Sequence, residues 1–306
     1  METSTNSAGG PGPVESIPAR RTELGSLHIL RALPRRQRRT VGAWCFLDRY
    51  GPLNFTTEKA MDVAPHPHIG LQTVSWLIAG EIIHKDSLGC EAIMHAGQLN
   101  LMTAGLGIAH SEETPKQNSG HLDGVQLWVA LPHEHRQTLP LFDHYAALPV
   151  FDVESATITL ILGAMLQHKS PARTFSPIIG AEMVMREKQV VDLPLDPTFE
   201  HAVFVLDGDG VLNGERLRSD ALHYIPPGRS ELHIGGSRNC RILLLGGEPF
   251  REPILMWWNF VARTKEEIAS ARLDWIEHRL GEVKGYDGPR LPAPDLATVA
   301  PANPAS

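Results

Sequence analysis

Across residues 21–250 the chain is a succession of short apolar runs rich in β-branched and aromatic residues. Each is closed within a few positions by glycine or proline. Residues 73–78 read Thr-Val-Ser-Trp-Leu-Ile and end at Ala79-Gly80-Glu81. Residues 97–102 alternate in polarity and meet Thr103-Ala104-Gly105-Leu106-Gly107, and residues 125–131 stop at Pro132. Runs of this length and punctuation predict an all-β barrel or sandwich. A second round follows through 157–162, 190–193, 202–206 and 240–247. Laying Gly80 on Gly208 places 73–78 over 201–206 and nearly matches Gly97 to Gly228, which predicts two copies of one barrel. The one helical signal comes late. Thr264-Lys265-Glu266-Glu267 is a capping box, and Ile268, Ala271, Trp275, Ile276 and Leu280 recur at helical spacing. A helix over about 264–280, packed on a barrel, is expected.

With 306 residues there is room for two domains, and 42% hydrophobic with 21% charged residues marks a soluble globular chain. The expected division is a leader at 1–20, a first barrel at 21–150, a second barrel with the helix at 151–286, and a tail at 287–306. The leader is rich in Ser, Gly, Pro and Thr and lacks a basic segment followed by an apolar one, so it reads as disordered rather than as a signal peptide. The Pro- and Ala-rich tail also reads as disordered. A net charge of −7 argues against nucleic-acid binding through a broad basic surface. Arg35, Arg36, Arg38 and Arg39 read as a solvated turn after Pro34. No apolar run reaches the length of a membrane span. Cys45, Cys90 and Cys240 are isolated, without a CxxC pair, which fits a reducing cytoplasmic compartment.

The chemistry lies in two short patterns, His66-Pro67-His68 and His110-Ser111-Glu112. Side chains two apart on a strand share a face, so two such strands would bring three imidazoles and one carboxylate to a common point. Pro65 and Pro67 make the first segment an edge strand or a strand entrance near a barrel mouth, because proline cannot donate to a ladder. Four nitrogen and oxygen donors without a thiolate suit a single divalent ion: iron(II), manganese, nickel, cobalt, copper(II) or zinc. With six positions around the ion, two stay open for a chelating substrate oxygen and for O2. A structural zinc would leave none open. Glu113 would point to the opposite face. His84 and His95 fall between the two patterns and could lie near the pocket, but neither reads as having a paired partner two residues away; His133 and His135 read as an exposed loop. Trp76, Met102 and Trp128 are candidates for pocket wall, with core packing as the competing assignment.

These residues resemble the pirin family of the cupin superfamily. The likeness is carried by His66-Pro67-His68-Ile69-Gly70, Gly80-Glu81, Asp86-Ser87-Leu88-Gly89 and the run from Met102 to Glu112. Arg31-Ala32-Leu33-Pro34, Phe46-Leu47-Asp48, 126–129 and 247–253 add to it. It implies two tandem cupin barrels, of the jelly-roll or double-stranded β-helix type. It also implies one metal, usually iron, on His66, His68, His110 and Glu112 of the first barrel. Some pirins are similar to quercetin 2,3-dioxygenases, which open a flavonol ring with O2 and release carbon monoxide; others are metal- and redox-sensitive partners of transcription factors or metabolic enzymes. The expectation is a monomeric dioxygenase that takes a small aromatic substrate and O2, with Glu112 as both ligand and general base. A regulatory protein that senses redox state and a redox-neutral cupin isomerase are the rivals. The chain departs from the pattern at Gln72, where most pirins carry Glu, which would remove a second carboxylate near the site. It departs also at Ile69 and Leu71, where Arg and Phe are common. The second barrel has Pro194 and Asp196 at the place matched to the paired histidines and no histidine near Arg241, so it is expected to be a metal-free wall or lid.

Overall fold

The structure, a computed structural model, describes residues 12–24, 27–56 and 60–296. It consists of two antiparallel barrels built on one plan. The large sheet of the first runs in the order Leu141–Tyr145, Leu99–Thr103, Leu71–Asp86, His121–Ala130, Trp44–Asn54, Leu27–Leu33 and Arg20–Leu24. That of the second runs Glu15–Pro18, Ala221–Ile225, Glu200–Asp207, Arg241–Gly247, Ile178–Met185, Ala156–Met165 and Val150–Val153. The two orders correspond strand for strand, which supports the duplication expected from the sequence and the all-β, two-barrel class.

Polarity alternation decides which face each large sheet buries. Along Leu71–Asp86, Val74 and Trp76 turn toward the second barrel, while Thr73 and Ser75 turn into the first. Phe204 and Ala202 answer from the second sheet, so the barrels share one continuous apolar layer. Trp44 is fully buried in that layer, and its indole N–H donates to the carbonyls of Ile179 and Gly246 at 3.0 and 3.2 Å. The long strand changes sheets at Gly80, whose φ of +88° suits glycine. A Cβ there would lie 2.1 Å from the His121 carbonyl oxygen. Before this bend the strand pairs with Leu99–Thr103; after it, with Glu91–His95 and Ile108–Glu113.

Several expectations change. Glu15–Pro18, expected in the disordered leader, forms an edge strand of the second barrel in register with Ala221–Tyr224, because Ile17 is buried there. The part of that leader at 1–11 lies outside the described residues. The tail is ordered over 287–296, and 297–306 lies outside the described residues. Leu291 N–H donates to the Pro65 carbonyl at 2.9 Å, and Trp275 Nε1 donates to the Leu291 carbonyl at 2.9 Å. The helix runs Lys265–Ile276, shorter than expected, with Thr264 accepting from Glu267 N–H. Ile268, Ala271 and Trp275 are buried, but Ile276 is exposed. The helix packs on the hairpin made by Leu255–Trp257 and Phe260–Ala262 rather than on a barrel wall.

The finer matching of the two halves also fails. Gly97 precedes its strand of the large sheet, whereas Gly228 follows the corresponding one. In the second barrel, Gln189–Pro194 pairs with Glu231–Gly236 as Asp62–His68 pairs with Ile108–Glu113. The counterpart of His110 is therefore sought on Glu231–Gly236, not near Arg241. The inward positions there, Val191, Leu193, Leu232 and Ile234, are aliphatic and join a core that fills the second barrel. Pro194 and Asp196 are not among them.

His201, at the start of Glu200–Asp207, is 2% exposed, and burial pushes its imidazole down to about 4, with Asp196 opposing. The unfolded chain, with an ordinary histidine value, takes up the proton first. The stability contributed by neutral His201 is therefore complete above about pH 6.5 and is lost as pH falls toward 4. Metal-free protein carrying His201→Gln should lose roughly 2.5 kcal/mol less stability than the wild type between about pH 7 and pH 4.5. Urea denaturation at the two pH values checks this; equal losses would rule out His201 as the cause.

Candidate metal centre

Asp62–His68 pairs with Ile108–Glu113 and with no other strand among the described residues, so Pro65 and Pro67 lie on a free edge as their chemistry requires. The register sets His66 opposite His110 and His68 opposite Ile108. At its other edge, Ile108–Glu113 pairs with the far half of Leu71–Asp86, which sets Asp86 opposite His110 and His84 opposite Glu112. At the turn after His68, Gly70 has a φ of +68°, and a Cβ there would sit 2.0 Å from the Val261 carbonyl oxygen. That close approach brings in the hairpin of residues 255–262, which caps the site.

His66, His68 and His110 are 7%, 1% and 1% exposed, and one nitrogen from each lies within 4.8 Å of the others. Burial holds all three imidazoles in the neutral form, with His66 down at about 4. Their proton positions follow from their partners. His66 Nδ1 lies 2.8 Å from the Ala64 carbonyl, and His68 Nδ1 lies 3.1 Å from the Asn259 carbonyl. A carbonyl only accepts, so each Nδ1 carries its proton and donates it. His110 Nδ1 faces His84 Nδ1 at 3.3 Å, and His84 Nε2 faces Asp86 Oδ2 at 3.1 Å. Asp86 Oδ1 accepts from the N–H groups of Leu88 and Cys90. With Asp86 ionised and His84 neutral, the carboxylate accepts a hydrogen bond from His84 Nε2–H. His84 Nδ1 must then accept, and His110 Nδ1 must donate.

All three histidines are thus Nδ1–H tautomers with Nε2 lone pairs turned inward. His68 Nε2 and His110 Nε2 approach to 3.1 Å with no proton between them in this arrangement. Two lone pairs held at that distance repel unless a cation lies between them. The donor set therefore fits a divalent metal with nitrogen ligands.

Glu112 lines the same cavity, buried, two residues beyond His110. Its carboxylate is not part of the three-histidine cluster. Ser75 donates to Glu112 Oε1 at 3.1 Å and lies 2.9 Å from the Gln126 amide. Burial raises the Glu112 carboxyl, with His84 and Ser75 opposing. The cavity has a volume of about 460 Å³. Phe46 and Trp128, stacked with centroids 4.0 Å apart, form one wall, and Trp258 and Leu291 also line the cavity. Trp128 is therefore pocket wall, whereas Trp76 and Met102 are core. Tyr50 also lines the cavity, and its buried hydroxyl has no hydrogen-bond partner.

Glu113 turns away and accepts from Lys85 at 2.9 Å. His95 and His133 are exposed, and His135 sits in the same surface turn as His133. Gln72 does not line the cavity. Its amide donates to Thr103 Oγ1 and to the Arg173 carbonyl, which a glutamate could not do. Its departure from the family pattern therefore removes no carboxylate from the cavity. Sequence reasoning missed the roles of His84 and Asp86. The signal was their spacing of two on one strand, the same spacing that marks the ligand pairs. Burial raises the thiols of Cys45 and Cys240, to about 12 and about 11, so both stay protonated and inert.

Comparison with known proteins agrees with this frame. The Pirin family model matches residues 26–129, and the model for the pirin C-terminal cupin domain matches residues 180–281. The chain belongs to the pirin family. A Pseudomonas aeruginosa protein carrying the provisional name quercetin 2,3-dioxygenase is 44% identical over 287 residues, 92% of this chain and 90% of that one. A pirin-like protein from Caulobacter vibrioides is 36% identical over 90% of this chain and 98% of its own. The crystal structure of a quercetin 2,3-dioxygenase from Acinetobacter baumannii, 42% identical, superposes with a TM-score of 0.91 and covers 94% of this chain and 97% of that one. Among the described residues no helix is long and apolar enough to cross a membrane.

Asp86→Asn tests the proton chain without changing its shape. The asparagine oxygen still accepts from Leu88 and Cys90, but its NH2 now donates to His84 Nε2. His84 Nδ1 becomes the donor, and the His110 proton is driven to Nε2, where it blocks a ligand position. Zinc affinity, read by competition with a chelator, should fall roughly 10- to 100-fold with the circular dichroism unchanged. Unaltered affinity would show that the pair does not orient His110.

Proposed function

We propose that this pirin-family chain is a metal-dependent dioxygenase that opens the ring of a flavonol, quercetin or a related enolic aromatic, with O2. The observation that carries the reading is the convergence of three imidazole lone pairs on the floor of an aromatic-walled cavity. The likeness to the Acinetobacter baumannii quercetin 2,3-dioxygenase supports it. A divalent ion on His66, His68 and His110, iron(II) by family expectation, would supply a Lewis-acidic anchor for the enolic oxygen and, if redox-active, a path for electron density to O2.

The chain's own residues supply the rest. A flat ring system is held against the Phe46–Trp128 pair and beneath Trp258, at a cavity volume of ordinary ligand-pocket size. Tyr50, whose hydroxyl burial keeps firmly protonated, donates to a substrate oxygen. Glu112 takes the proton of the chelating hydroxyl. Released from Ser75, the same carboxylate would be placed to help hold the ion as a fourth ligand. The apolar lid of Trp258 and Leu291 keeps bulk water from the reacting carbon.

Metal-loaded protein given quercetin in air should consume one O2 and release one carbon monoxide per quercetin, and His110→Ala should abolish this turnover. A reaction indifferent to O2 would indicate a redox-neutral isomerase instead. Absence of turnover across a panel of flavonols by protein with full metal occupancy would overturn the assignment. Tyr50→Phe should raise KM roughly tenfold, the loss of one hydrogen bond in a buried site, without changing metal content. Steady-state kinetics beside elemental analysis reads both quantities.

A further inference from the structure

Arg35 and Arg36, which read as a solvated turn in the sequence, lie against a second cavity of about 450 Å³ that adjoins the metal cavity. Arg20 and Arg31 line it as well. Phe46, Trp128, Trp258 and Arg31 line both spaces, so the aromatic wall is continuous from the histidines to the arginines. Arg31 is spoken for. It makes a two-pronged pair with Asp48 at 2.8 and 2.7 Å and lies over the Phe46 ring. Arg20, Arg35 and Arg36 form no ion pair among the described residues, although the charge of Arg20 is felt by Asp48, and Arg35 Nε is buried without a hydrogen-bond acceptor.

The turn that carries Arg35 and Arg36 is fixed. Arg35 and Arg38 exchange backbone hydrogen bonds at 2.8 and 3.2 Å. Arg38 lies 3.6 Å from the Tyr224 ring centroid and 3.9 Å from Glu200 of the second barrel. Three arginines of the sequence cluster therefore divide: Arg38 anchors the turn, and Arg35 and Arg36 face the cavity. Three unpaired guanidinium groups gathered on a chain of net charge −7 are not its general surface chemistry. A guanidinium fork matches a planar or tetrahedral oxyanion.

We infer that Arg20, Arg35 and Arg36 form an anion subsite at the outer end of the metal cavity. The substrate is then a planar enolic aromatic with an anionic substituent, such as a carboxylate or sulfate group, on the ring far from the chelating oxygen. This assignment of substrate class rests on the dioxygenase reading; the subsite itself does not.

The test uses the zinc-loaded full chain, in which binding is read without turnover. Quercetin is compared with its 5′-sulfonate by tryptophan quenching; a sulfonate is a poor metal ligand, so any preference reports on the arginines. In parallel, 2-naphthalenesulfonate is compared with 2-naphthylmethanol, neither of which carries an enol. In each pair the sulfonate should bind roughly tenfold tighter at low salt. The preference should shrink at high salt and disappear in the double variant R35Q/R36Q, its fold checked by circular dichroism. Equal binding within both pairs, or a preference that survives R35Q/R36Q, overturns the subsite. If the naphthalene pair shows the preference while no flavonol binds, the subsite stands and the dioxygenase reading fails. If quercetin is turned over by iron-loaded protein and the sulfonates gain nothing, the reverse holds.

Discussion

The direction of three protons governs this site. Each ligand histidine gives its Nδ1 hydrogen to an acceptor outside the cluster, and only then do three Nε2 lone pairs meet. Two of those acceptors are main-chain carbonyls, one from the edge strand itself and one, Asn259, from a hairpin 191 residues further along the chain. The third is a side chain, His84, whose own proton is directed by Asp86. A carbonyl cannot change sides, but a histidine can. His110 is therefore the one of the three histidines whose tautomer depends on another side chain, and the main-chain N–H groups of Leu88 and Cys90 fix the orientation of the Asp86 carboxylate that faces His84.

The ligand pattern was open to reading because period two is a geometric property of any strand, and His66, His68 and His110 needed only that rule and a register. Glu112 followed from the same rule as far as the cavity, but the rule says nothing about where a flexible carboxylate comes to rest. His84 and Asp86 obey the rule too, yet they serve through a hydrogen bond to His110, and the spacing of two does not by itself tell such a supporting pair from a pair of ligands. The cap was illegible for another reason. The contact between Gly70 and Val261, and the seat of Leu291 over the cavity, join segments separated by about two hundred residues, and local pattern carries no information about such closure. Composition misled at both ends of the chain. Glu15–Pro18 and 288–296 look disordered in isolation and are ordered by the edges and cavities they cover.

The two barrels show the same frame put to opposite uses. Val191, Leu193, Leu232 and Ile234 fill the second interior with hydrocarbon, which contributes directly to stability through buried area and close packing. The first interior holds neutral imidazoles, a buried carboxyl and an open cavity at equivalent positions, all of which cost stability. The shared layer around Trp44 and Trp76 lets the well-packed barrel support the functional one.

That division also explains why the lid comes from the chain beyond the second barrel. A β-barrel leaves its mouth open, and a metal held here away from water would need a roof. The hairpin of residues 255–262 supplies Trp258 to the cavity wall and the Asn259 carbonyl to His68 in consecutive residues. Closing the roof and orienting a ligand are therefore one structural event. If the hairpin lifts, His68 loses the acceptor that fixes its tautomer at the same moment that the cavity opens to solvent. Closure of the cavity and the tautomer of His68 are thereby linked through two adjacent residues, Trp258 and Asn259.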